Sequence, residues 1–157
     1  MKRMGIRIGL IVLALVLGVV IGRAYQPSAA PSRKDTAIIN DWYQTAVKAM
    51  DTNLNKADDL INKAWKMSID IAYSRGIADG YYYTGRVYTQ KNAPDIAGRY
   101  FEKAISLYIQ GQFAEHLADS YRRLGEIYMG EGRYFTAFQH FVDGLRVAED
   151  QHDAVGQ

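Results

Sequence analysis

The chain has 157 residues, of which 48% are hydrophobic and 23% charged, a composition that fits one modest globular domain with its own core. It contains no cysteine, which excludes disulfides, cysteine–zinc sites and thiol nucleophiles. The net charge is +2, but four basic residues lie in the first 23 positions; the rest is nearly neutral, which argues against nucleic acid as the main partner.

The first predicted element is an apolar segment at the N-terminus. Residues 8–22 carry no charge and follow the basic start MKRMGIR, which is typical of a secretory signal. Residues 1–24 are therefore predicted to be a signal peptide or an N-terminal membrane anchor, cleavage being left open, and residues 25–35 a flexible linker. Either alternative exports the rest of the chain. The sequence has no N-x-S/T sequon, which favours a bacterial periplasm or an inner membrane facing it.

A repeat of about forty residues occupies residues 36–157. The matched pairs forty residues apart are Ala78 with Ala118, Tyr81 with Tyr121, Gly85 with Gly125, Tyr88 with Tyr128, and Phe101 with Phe141. The units are about 36–75, 76–113 and 114–157. Apolar residues at three- and four-residue spacing predict two helices in each unit. These helices are predicted near residues 36–50, 55–73, 77–90, 94–110, 114–129 and 134–150.

This pattern resembles the tetratricopeptide repeat, in a long form of about forty residues similar to that of kinesin light chains. The motifs that carry the resemblance are YYYTGRVY (81–88), YRRLGEIY (121–128), AGRYFEKA (97–104) and AFQHFVDG (137–144). The resemblance implies an all-α fold, a right-handed superhelical array of antiparallel helix pairs after the N-terminal hydrophobic helix. It also implies a peptide or another protein as the partner.

Three consecutive tyrosines receive three different predicted roles, because neighbouring side chains on a helix point about 100° apart. Tyr81 shares a face with Gly85 and is predicted to lie in the core. Gly85 is predicted to mark a close approach of two helices, opposite Ala97. Tyr82 is predicted to face the concave groove that this family forms, and Tyr83 the seam with the preceding unit.

The groove face of the first helix in each unit is the candidate partner-binding site. The predicted groove residues are Asn40, Tyr43, Val47, Asp79, Tyr82, Arg86, Asp119, Arg122 and Glu126. Aromatic and arginine side chains are common in protein-binding hot spots, although several of these charges could simply pair with each other. The family's clamp for C-terminal carboxylates needs lysine and asparagine at places that this chain fills differently, so no such clamp is predicted.

The last predicted helix carries a second apolar stripe. Its members are Phe135, Phe138, Val142 and Leu145. They lie about 100° from the stripe that packs within the unit, on the face that receives the next repeat in this family. Leaving such side chains in water forfeits about 1.5–3 kcal/mol each. The stripe is therefore predicted to be covered by a second copy, through self-association, by another protein, or by further chain.

No catalytic or metal-binding pattern occurs in the sequence. The three histidines lack metal-ligand spacing, and phosphate-loop, nucleophile-elbow and dinucleotide motifs are absent, so no metal, cofactor or enzymatic activity is predicted. The first functional hypothesis is a non-catalytic protein–protein interaction scaffold, exported or membrane-anchored, with a peptide or protein in its groove. The alternative is the sensory N-terminal region of a longer signal-transduction protein, such as a histidine kinase or cyclase, by analogy of fold alone.

Overall fold

The computed structural model describes residues 30–155, and the side chains of residues 30–152. Six helices and no strand lie in that range, in the order α1 Arg33–Ala49, α2 Leu54–Asp70, α3 Ser74–Gln90, α4 Pro94–Gly111, α5 Leu117–Gly130 and α6 Tyr134–Val155. The predicted all-α repeat array is thereby confirmed. The predicted signal or anchor segment, residues 1–24, lies outside the described residues. In the described part, none of the helices is long and apolar enough to cross a membrane.

Four of the turns between helices share one backbone geometry. Each contains a residue in the left-handed region, with φ between 53° and 75°, and the four lie twenty positions apart at Ala72, Asn92, Gln112 and Gly132. In each turn the following N–H donates to a carbonyl five residues back, as Tyr73 N does to Ser68 O at 2.8 Å. This is the Schellman ending of a helix. The chain therefore reverses its direction every twenty residues, twice in each forty-residue unit.

Three helix starts differ from the prediction by three residues: α3 begins at Ser74 rather than near residue 77, and the starts of α1 and α5 differ for local reasons. Helix α1 begins at Arg33 rather than near residue 36, because the Ser32 hydroxyl caps it by accepting from Asp35 N. Helix α5 begins at Leu117 rather than near residue 114. His116 precedes it with φ 62°, so the backbone is not helical there.

The helices pack in chain order, each against the next, and α1 also contacts α3. Fully buried alanines let the helices approach closely; they are Ala46, Ala57, Ala64, Ala78, Ala97 and Ala104. Gly85 lies at such an approach, as predicted, but its immediate neighbour is not Ala97. A Cβ at Gly85 would lie 2.9 Å from the buried Phe101 ring. The ring of α4 therefore fills the space that the glycine leaves on α3.

Two of the three consecutive tyrosines of α3 lie differently from the prediction. Tyr81, predicted to lie in the core, is half-buried and meets Trp65 edge-on at 4.7 Å. Tyr82, predicted to face the groove, is only 3% exposed. The reason is that the start of α5 covers it. Tyr83 stacks on Tyr43 of the first unit at 4.9 Å, which confirms its predicted place at the seam.

Candidate functional site

Three of the predicted groove residues line one small cavity. Asn40 and Tyr43 come from α1 and Asp79 from α3, and the cavity has a volume of about 160 Å³. Its remaining lining residues are Gln44, Arg75, Tyr83, Glu115 and His116. The first helices of two units and the turn before α5 thus meet around one polar space.

Asp79 is the buried acid of this cavity, with 6% of its surface exposed. Its Oδ1 accepts a hydrogen bond from the hydroxyl of Tyr108 at 2.8 Å. Burial raises the pKa of Asp79, which means that the charged carboxylate is disfavoured in the fold, and the Tyr108 hydrogen bond only partly opposes this effect. Arg75, also in the cavity wall, forms its ion pair with Glu115.

His116 joins the second and third units, a role that sequence analysis did not assign to it. Its ring stacks on Tyr82 at 4.4 Å, and its Nε2 lies 3.2 Å from the Tyr83 hydroxyl. Burial lowers the pKa of His116, against the attraction of Asp79 and Asp119, so the ring favours its neutral form. Only a weak feature of the sequence pointed to this histidine. The equivalent position forty residues earlier is Gly76, so the histidine is particular to the third unit.

A second group of predicted groove residues forms an ion-pair cluster on α5. Asp119 accepts hydrogen bonds from Tyr82 Oη at 2.6 Å and Arg123 Nε at 2.6 Å, and also pairs with Arg122. Burial alone would raise the pKa of Asp119, but these hydrogen bonds outweigh it and hold the pKa at about 2. Arg122 also pairs with Glu126. These charges are therefore satisfied within the chain.

Arg86 differs from the other charged groove residues. It is half-buried, and its guanidinium carbon lies 5.8 Å from the Tyr82 ring centre and 5.9 Å from that of Tyr83. No carboxylate among the described residues forms an ion pair with it. Arg86 is thus the groove cation left available to a partner. The remaining predicted groove residue, Val47, is half-buried and packs against the hydrophobic core.

The predicted end-face stripe is exposed in the described part of the chain. The exposed fractions are 75% for Phe135, 63% for Phe138, 47% for Val142 and 60% for Leu145. Tyr134, at 72%, extends the stripe at the start of α6. Residues spaced three and four apart share one side of a helix, so these side chains form one continuous apolar surface. What covers that surface stays a prediction.

Neither a protein-family model nor a curated protein matches the chain. Among solved structures, the crystal structure of MamA, a tetratricopeptide-type protein, is similar with a TM-score of 0.56 and 23% sequence identity. The match covers 73% of this chain and 61% of the MamA chain. The fold is a tetratricopeptide-like helical repeat.

At 23% identity, the similarity to MamA shows the fold alone, and this chain spans about three-fifths of that structure. The long, kinesin-light-chain-like form of the repeat stays a prediction. In the described residues, no group of three histidine, cysteine, aspartate or glutamate side chains could hold a metal ion.

Proposed function

We propose that this chain is a non-catalytic protein-interaction scaffold, exported or held at a bacterial inner membrane by its N-terminal segment, and that a peptide or protein binds along its groove face. The observation that carries this proposal is Arg86. Its guanidinium lies against two tyrosine rings and has no carboxylate partner in the described residues. Arginine beside aromatic rings is a common composition of binding hot spots.

The electrostatics of the groove favour an acidic group of the partner at Arg86. Arg122 and Arg123 already pair with Asp119, so a partner carboxylate would have to compete for them. Arg86 can bind a carboxylate without breaking an internal ion pair, and the two tyrosine rings beneath it limit the freedom of its side chain.

Crosslinking in intact cells with a membrane-impermeant, amine-reactive reagent tests both the location and the partner. We expect a specific adduct with wild type and at least a tenfold loss of it with Arg86→Glu. The matched control is Arg99→Glu, which makes the same change at an exposed position on α4 and should retain the adduct. If the adduct still forms with Arg86→Glu, the groove is not the binding site. If the reagent never labels the chain, the chain is not exported.

The exposed stripe on α6 also fits the alternative function, the sensory region of a longer signalling protein, in which a following element would cover it. A second copy would cover it equally well. Light scattering on residues 31–157, which form one compact unit, separates the two. If a second copy covers the stripe, the fragment should be dimeric, and the double variant Phe138→Glu with Val142→Lys should be monomeric. A monomeric parent at high concentration would contradict self-association.

A further inference from the structure

When Asp79 is ionised, the cavity around it holds more negative than positive charge. Asp79 and Glu115 each carry a carboxylate, and Arg75 supplies the one guanidinium of the lining. Because Arg75 pairs with Glu115, Asp79 is left without a direct cationic partner. His116, the remaining titratable side chain apart from the tyrosines, favours its neutral form because it is buried. One positive charge would balance the cavity.

Asp79 also has unused hydrogen-bonding capacity. Tyr108 donates to Oδ1, and no other described residue donates to the carboxylate, although only 6% of the residue's surface is exposed. A buried carboxylate with one free oxygen is unfavourable unless something pairs with it. The amide groups of Asn40 and Gln44 line the same space, so its wall is polar. These features favour a small polar cation.

We propose that this cavity binds a primary ammonium group, with Asp79 as its carboxylate partner. At about 160 Å³ the cavity is well above the size that one water molecule needs, and the tip of an alkylammonium chain can enter it. An ammonium is a compact charge with three donors, which suits Asp79 Oδ2 and the two amide oxygens. A metal ion fits poorly: Asp79, Glu115 and His116 line the same cavity, but no group of three such side chains in the described residues is placed to hold a metal ion.

Two sources supply this group: the lysine side chain of a peptide in the groove, or a free small amine. The first rests on the proposed function and predicts a spacing. Asp79 and Arg86 are seven residues apart on α3, which is about 10.5 Å along the helix at 1.5 Å per residue. An extended peptide covers that distance in about three residues. A peptide with lysine at one position and glutamate three residues away should therefore reach both groups.

Nuclear magnetic resonance on the full chain in non-ionic detergent tests the proposal, read at the side-chain amides of Asn40 and Gln44. The probes are butylammonium, the peptide Ac-AKAAEA-NH2, and the same peptide with norleucine for lysine. We expect the lysine peptide to shift both amides and the norleucine peptide to bind at least tenfold more weakly. Equal affinities for butylammonium and the lysine peptide would assign the cavity to a free amine, and no shift with either probe would overturn the proposal.

Asp79→Asn is the decisive variant, because asparagine can still accept the Tyr108 hydrogen bond. It should lose at least tenfold in affinity for the lysine peptide while melting at the same temperature or higher, since it removes an unfavourable buried charge. Asp59→Asn makes the same substitution at an exposed position on α2, outside the groove and the cavity, and should keep its affinity within twofold. If Asp79→Asn does not fold, Glu115→Gln at the exposed rim should still weaken binding severalfold. Unchanged affinity in Asp79→Asn would overturn the proposal.

The outcome is independent of the crosslinking experiment. Ammonium binding at Asn40 and Gln44 without any partner adduct would leave the cavity standing and contradict the groove scaffold. A partner adduct that depends on Arg86, with no ammonium response in the cavity, would support the groove scaffold and contradict the ammonium site.

Discussion

Replacing Gly85 with leucine should lower the free energy of unfolding by about 3 kcal/mol or more. A Cβ at this position would lie 2.9–3.0 Å from three atoms of the Phe101 ring, well inside the optimal carbon separation of about 3.5–4.0 Å. Phe101 is fully buried and cannot move into solvent. Helices α3 and α4 would have to separate, and the thermal melt of the variant should shift to much lower temperature.

The alanine pair Gly85→Ala and Gly98→Ala is the matched control, because both glycines are buried within helices. At Gly98 a Cβ would meet its nearest neighbour, Leu124, at an ordinary 3.7 Å. Gly98→Ala should therefore stabilise the protein by about 0.5–1 kcal/mol through helix propensity. At Gly85 the clash outweighs that gain, and the effect should be destabilising. Equal melting temperatures for the two alanine variants would contradict the packing of Phe101 against Gly85.

Tyr82→Ala should destabilise the array by about 3–5 kcal/mol, as truncation of a buried aromatic side chain generally does. The side chain is 3% exposed, donates to Asp119 at 2.6 Å and stacks on His116 at 4.4 Å. Its loss would leave a cavity at the seam between the second and third units and remove one donor from the half-buried Asp119 carboxylate. Chemical denaturation followed by circular dichroism measures the effect.

Two further variants separate the parts of this effect. Tyr82→Phe keeps the ring and should lose only about 1–2 kcal/mol, from the missing hydrogen bond to Asp119. Arg86→Ala, half-buried on the same face, should change stability by about 0.5 kcal/mol or little more. If Tyr82→Ala has about the same melting temperature as Arg86→Ala, rather than a far lower one, then Tyr82 does not have the structural role described above.

Much of the fold follows from local sequence. The turns at Asn92 and Gly132 lie where the sequence predicted breaks, because asparagine and glycine tolerate the left-handed conformation that ends a helix. Gly85 marked a close helix approach because only a glycine leaves room there. Ala72 and Gln112 take the same conformation without being residues that favour it. Their turns are imposed by the packing of the helices on either side, which overrides the local preference.

The sequence by itself determined the helix pairs, their forty-residue period and the apolar stripe on α6, since each depends on spacing along one helix. Only the tertiary structure decided what lies on the groove face. Helical phase placed Tyr82 and Asp79 on that face, but whether a face is open depends on which element packs over it. His116 and Asp119 of the third unit cover Tyr82, and Tyr108 of the second unit holds Asp79. These contacts join residues about 30 to 40 positions apart, and no pattern within one helix encodes them.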